Sequence, residues 1–268
     1  MQRRMAHCGT YYPCDPYVLR TLVGGLLDVH KVPVSYPEAS VVAAAPHGPY
    51  SVAGSIYAMV YRRLAIDADT VVILSPDHYA KSSGVVIDAH DYWETPLGYV
   101  KVDAEMARRL AEETGIPLAE KPFMYEHAIE VQLPWIRLAG GEAVWILPII
   151  VPGGGARDAF RLIDALLTVA DKMDRAITIL ATSDMSHYKS PDEAFEQDLR
   201  AVMYVSKLDH YGLLKYASES TLSWCGVDAV AAAVYAAKKM RYTGAELVGY
   251  SMRKIGRVYN TYGGFVFV

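Results

Sequence analysis

The chain has 268 residues, enough for one large α/β domain or two small ones around a sizeable core. Its net charge of −4 and pI near 6.1 argue against a general nucleic-acid binder, and no uninterrupted apolar stretch reaches the roughly 18 residues of a membrane span. The opening MQRRMAHCGTYYP lacks the apolar region of a secretory leader, and Cys8, Cys14 and Cys225 are an odd set without a C-x-x-C pair, so a cytoplasmic protein with reduced thiols is expected rather than a disulfide framework.

Pro13 and Pro16 keep the aromatic opening irregular, and the spacing of Val18, Leu19, Leu22, Val23, Leu26 and Leu27 predicts a helix over 17–29. Residues 41–45 read as a buried strand, 51–64 as a helix with small Ala53, Gly54 and Ala58 for close packing, and 70–74 as a second strand. Residues 85–98 carry a Thr-Pro-Leu-Gly turn and suggest a short antiparallel excursion. Asp103 is placed to cap a helix ending at Thr114 before Gly115 and Pro117, and a helical piece begins at Glu126 and breaks near Pro134. A strand over 142–151 meets Pro152-Gly153-Gly154-Gly155, which lacks the lysine and hydroxyl residue of a phosphate loop and reads as a plain connection to an amphipathic helix over 157–171. Residues 176–180 form another strand, 192–208 and an alanine-rich stretch ending at Met240 are helices, and 245–253 with 257–268 close the chain as two strands. With no internal repeat and no linker-like run, one domain over 1–268 is the economical organisation.

Three of these strands share a feature. VVAAAPH ends in His47, TVVILSPDH in His78, and AITILATSDMSH in Asp184 and His187. In open α/β sheets, ligands bind outside the carboxyl ends of the strands. His47 and His78 lie about 30 residues apart, the length of one βαβ unit, so they fall on one sheet edge. If the turn after residue 182 opens a helix, Asp184 and His187 at i and i+3 share a face. The four residues form a transition-metal ligand set. Two histidines with the carboxylate suit non-haem iron, and three histidines suit catalytic zinc.

Two further residues have competing readings. Cys225 just precedes a helix, where the terminal dipole favours a thiolate; the bland alternative is a small buried side chain beside Trp224. His127 between Glu126 and Glu130 suits a proton shuttle, or else a solvated, charge-paired helix face.

The ordered stretches CGTYYP, AAPHGPYSVAG, ILSPDH, TPLGYVKVD, EHAIEVQLPW, SDMSH and WCG resemble the Memo family (mediator of cell motility) from about Cys8 to the last strand. Prokaryotic members are also called AmmeMemoRadiSam system protein B. The resemblance implies a single α/β domain with a mixed, mostly parallel central sheet flanked by helices, as in class III extradiol dioxygenases, which are non-haem iron enzymes. It puts His47, His78 and His187 on the family's metal-contacting histidines, Asp184 on its site aspartate, Cys225 on its site cysteine, and His127 near the dioxygenases' acid/base histidine. The glutamate ligand of the dioxygenases has no equivalent placed in this sequence. Eukaryotic members are linked to phosphotyrosine-peptide binding and cell motility, roles this prokaryote-like chain gives no reason to inherit.

The expectation is therefore a cytoplasmic metalloprotein carrying out redox or oxygenase-like chemistry on an unknown small molecule. One transition metal ion, iron first and copper or zinc as alternatives, is held by His47, His78, His187, Asp184 and Cys225. His127, Cys225 and Asp184 are the catalytic candidates. Expected partners are the small-molecule substrate, AmmeMemoRadiSam companion proteins and other copies of the chain, without nucleic acid or membrane. A single asparagine, Asn260, and only three glutamines fit a hot-living source. The rival reading is a non-catalytic module that uses the old cleft for a peptide or protein partner, suggested by the tyrosine-rich composition.

Overall fold

A computed structural model describes residues 1–31 and 39–268. A short strand β1 (Gln2–Arg3) leads through the aromatic loop to α1 (Pro16–Val29), where Asp15 accepts from the Val18 amide and Pro16 opens the first turn. Strand β2 (Val42–Ala45), helix α2 (Tyr50–Tyr61) and strand β3 (Thr70–Ser75) follow, then β4 (Val86–Asp88), the hairpin β5 (Tyr92–Thr95) and β6 (Gly98–Lys101), and α3 (Ala104–Thr114). Asp103 caps α3, and Gly115 ends it in the left-handed region. Next come β7 (Leu118–Ala119), a 3₁₀ turn at Lys121–Phe123, α4 (His127–Glu130) and α5 (Leu133–Ala139). Strand β8 (Trp145–Ile150), helix α6 (Ala156–Lys172) and strand β9 (Ile177–Thr182) precede α7 (Pro191–Ser206), α8 (His210–Glu219) and α9 (Val227–Lys239). The antiparallel pair β10 (Ala245–Ile255) and β11 (Val258–Phe267) completes the chain.

The main sheet runs in the order β10-β11-β2-β9-β3-β8-β4-β7, and β1, β5 and β6 form a small second sheet. Its centre, β2-β9-β3-β8, is parallel, flanked by antiparallel pairings of β11 on β2 and β4 on β8. The near-continuous apolar runs of the central strands follow from burial of both faces. Val72, Leu74, Ile179 and Ala181 join the core formed with α3, α6 and α9, whereas Val71, Ile73 and Leu180 alternate into the core beneath α1, α2 and α5. The crossover through α2 joins β2 to β3, and β9 inserts between them after the crossover through α6. The loops after β2, β9 and β3 therefore leave the same sheet edge side by side.

Two expectations are corrected. The turn after β9 does not open a helix. Residues 183–189 instead run along β11: Met185 donates to the Thr261 carbonyl, and Lys189 and Tyr259 exchange backbone bonds. A strand edge was available to satisfy this backbone, so the i, i+3 argument for Asp184 and His187 does not apply. Cys8 and Cys14 are joined in a disulfide, with their Cα atoms 4.9 Å apart. The odd cysteine count hid this pairing, because a tight turn at Gly9 (φ 80°), with its amide bonded to the Tyr12 carbonyl, folds the loop back on itself. Residues 210–219, on which the sequence reading makes no statement, form α8, started by Asp209 accepting from the Gly212 amide. Among the described residues, no helix is long and apolar enough to cross a membrane.

Candidate metal centre

Strand β2 ends at Ala45, and Pro46 carries the chain into buried His47. Asp184, from the loop after the adjacent β9, accepts through Oδ1 from the amides of His47 (2.8 Å) and Gly48 (3.0 Å). A Cβ at Gly48 would run into the Tyr262 ring, so only glycine lets this loop sit against the aspartate. Burial pushes Asp184 up to about 6, against the opposing pull of those amides and of His187.

The strand-end histidines are each held through Nδ1. His47 Nδ1 bonds to Thr182 Oγ1 at 2.7 Å, at the last residue of β9. His78 Nδ1 donates to Glu126 Oε1 at 2.8 Å, while the His78 amide donates to Oε2 at 2.9 Å. His187 Nδ1 donates to the Ser223 carbonyl at 3.0 Å, and its amide to Ser223 Oγ at 2.8 Å. Outer partners of this kind fix a ring's orientation and leave Nε2 to face a ligand. Burial, reinforced by His78, His127 and His187, holds His47 well below the usual histidine range. His47 is therefore a neutral lone-pair donor.

His127 reaches the same place from α4. Its ring lies 4.3 Å from that of His78 and 5.4 Å from that of His47, centre to centre. One ligand atom from each of His47, His78 and His127 lies within 4.8 Å of the others, and no other such group of three occurs among the described residues. His127 Nδ1 is buried and has no hydrogen-bond partner, and burial with help from His78 and His7 pushes the ring down to about 2. That atom lies 3.6 Å from Glu126 Oε1, beyond hydrogen-bond range, so the His127 ring is held less firmly than those of His47 and His78. The neutral nitrogen donors and the orphaned atom fit a transition metal.

Cys225 and His187 stand at the border of this group rather than within it. Cys225 Sγ lies 2.9 Å from His47 Nε2 and 3.7 Å from the Asp184 carbonyl. Gly226, the next residue, presses so close to the Thr182 carbonyl that a Cβ would collide with it, which seats the Cys225 turn on the end of β9. In the protein alone, burial pushes the Cys225 thiol up and the Asp184 charge adds to it. His187 is near enough to His47 and Asp184 to act on both electrostatically.

The histidine cluster opens to solvent at His78, whose side chain is 24% exposed; clefts of about 380 and 410 Å³ elsewhere on the protein do not include these histidines. The family model described as Memo-like protein matches residues 3–260. The chain belongs to the Memo family. A MEMO1 family protein of Methanopyrus kandleri is 31% identical over 264 residues, covering 94% of this chain and 92% of its own. One from Sulfolobus acidocaldarius is 31% identical over 252 residues, covering 90% and 89%. An uncharacterized Escherichia coli K12 protein of known structure superposes with a TM-score of 0.56 at 12% identity, covering 83% of this chain and 99% of that chain. The α/β architecture with its mixed central sheet is the class III extradiol dioxygenase-like fold of the Memo family.

Several supports of this Memo-family site were invisible as sequence. Glu126, read only as a flank of His127, is fully buried and orients His78. Buried Glu130 accepts from Arg3, the Ala6 and His7 amides and Tyr12 Oη, and so straps the N-terminal loop over the site. That strap lays the Tyr11 ring 4.6 Å from the His127 ring, with His7 at 5.6 Å. The clue available was that two carboxylates, Glu126 as the cap and Glu130 as the last residue, bracket the short helix that carries His127.

Proposed function

We propose that this protein is a metal-dependent oxidoreductase of the Memo family that acts on a small molecule. His47 and His78 are the fixed nitrogen donors. Their Nδ1 atoms are engaged by Thr182 and Glu126, so each offers Nε2. His127 and Cys225 stand on either side of these two as the groups able to complete the set, one a nitrogen donor and one a soft sulfur. The observation that carries the reading is the convergence of His47, His78 and His127 ligand atoms within 4.8 Å in a site with an orphaned buried nitrogen. An iron ion there would supply one-electron and oxygen chemistry, copper similar chemistry, and zinc only Lewis acidity.

The chain's own residues divide the remaining work. Asp184, pushed up to about 6, can hold or release a proton near neutrality at the edge of the site. His187 donates Nδ1–H to Ser223 and keeps Nε2 as an acceptor. Tyr11 and Tyr262, both held up at about 12 by burial, remain neutral hydroxyl donors. No catalytic role is given to Glu126, which holds His78 in place.

Metal analysis of protein purified without chelator is the test. About one equivalent of a transition metal per chain is expected, falling sharply in the His47→Ala, His78→Ala double variant. Metal-free protein that fails to bind Fe(II), Cu or Zn tightly would overturn the reading.

A further inference from the structure

Helix α7 buries one face and leaves apolar residues on the opposite one. Ala194, Asp198, Ala201 and Val205 turn inward. Phe195, Leu199 and Met203 are 56%, 49% and 50% exposed. Their i, i+4, i+8 spacing stacks them as one ridge along the helix. A single exposed leucine is ordinary, but a ridge on the outward side of a surface helix is where polar residues normally stand.

We infer that this ridge is the seam of a homodimer, in which α7 packs antiparallel on α7 of a second copy. The charges on the helix favour that occupant. Asp192 lies at its start and Lys207 just past its end, and neither forms an ion pair within the chain among the described residues. They are about 22 Å apart along the axis, too far to pair with each other in one chain. The neighbouring charges are already used: Glu193 closes the capping box with Ser190, and Glu196 pairs with Arg200 at 2.8 Å.

A two-fold axis places residue i against j and j against i. Positions 195 and 203 are equidistant from Leu199, and 192 and 207 lie seven and eight residues to either side of it. An axis near Leu199 therefore sets Leu199 on its own counterpart, Phe195 on Met203, and Asp192 on Lys207, each pairing occurring twice. One helix face lies at the small end of specific interfaces, so the association is weak and depends on concentration. Tyr188, 69% exposed and adjacent to His187, stands three residues before the helix, so one end of the seam begins close in sequence to the metal centre. The inference does not depend on the proposed chemistry.

Sedimentation equilibrium of the full chain over a concentration series tests it. The weight-average mass is expected to rise from 29.6 kDa toward twice that value. Leu199→Glu, which sets two like charges against each other at the axis, should hold the mass at the monomer. Asp192→Lys and Lys207→Asp should each weaken association about tenfold or more, since each substitution acts twice across the axis. The double variant Asp192→Lys, Lys207→Asp should restore it to within about threefold. Circular dichroism and thermal melting confirm that each variant is folded. A wild-type chain that stays monomeric, a Leu199→Glu variant that still dimerises, or a double variant no better than the single ones would overturn the inference.

Discussion

Glu126→Gln is the sharpest test of how the centre is built, because it alters no proposed ligand. The Glu126 carboxylate accepts from His78 Nδ1 at 2.8 Å, from the His78 amide at 2.9 Å and from the Ala128 amide at 2.9 Å. All three are donors, and glutamine offers only one oxygen. Its amide group must turn N–H toward at least one of them, which sets donor against donor at His78 and weakens the hold on the geometry that presents Nε2. Hydrogen bonds to a charged group contribute about 1.5–3 kcal/mol each, and losing an outer partner of a metal-binding histidine typically lowers affinity about 10–100-fold. That range corresponds to about 1.4–2.7 kcal/mol. The assay is competitive titration of metal-free protein with Zn(II) or Co(II) against a chromophoric chelator, with circular dichroism to show the fold is kept. Because Glu126 also caps α4, a loss of stability of about 1 kcal/mol is expected alongside. Metal affinity within twofold of wild type would refute the claim that Glu126 positions His78.

Other outcomes follow from the same structure. Cys225 should be the cysteine whose iodoacetamide labelling falls when metal is bound, read by peptide mass under conditions that leave the Cys8–Cys14 disulfide intact; labelling that ignores metal would remove sulfur from the ligand set and leave His127 to complete it. Asp198 is buried and accepts from Ser186, Trp224, Tyr250 and Thr261, tying the His187 turn to the Cys225 turn. Asp198→Asn should therefore destabilise the fold by about 2–4 kcal/mol in denaturant unfolding, and an unchanged midpoint would contradict the network. His210 is buried against Phe160 and Tyr235 with neither ring nitrogen hydrogen-bonded, so His210→Leu should stabilise the protein by about 1 kcal/mol at pH 7. Burial holds the His210 pKa below its ordinary value, so below about pH 6.5 the unfolded chain takes up a proton that the folded one resists. Wild-type stability should accordingly fall more steeply than that of His210→Leu as the pH drops from 7 toward 5; parallel curves would argue against a neutral buried ring.

Much of the frame was fixed locally. The central strands announce themselves because both their faces are buried and their sequences run apolar without a break. Helix limits such as Asp103 and Gly115 are legible because caps satisfy orphan backbone groups with side chains a few residues away. The strand-end positions of His47, His78 and His187 are local in the same sense. Tertiary structure decided what the local pattern left open. Only long-range pairing inserts β9 between β2 and β3 and so makes three separate turns neighbours. It also brings His127 into reach from α4 and supplies Glu126, Thr182 and Ser223 as partners for histidines distant in sequence. The disulfide and the strap of Tyr11 over the site depend likewise on a loop folding back on itself and on Glu130 gathering donors from the chain's first dozen residues. The physical reason is the range of the forces. Hydrophobic period and capping act within a few residues and can be read along the chain. The direction in which a polar side chain finds its partner depends on which strands lie side by side.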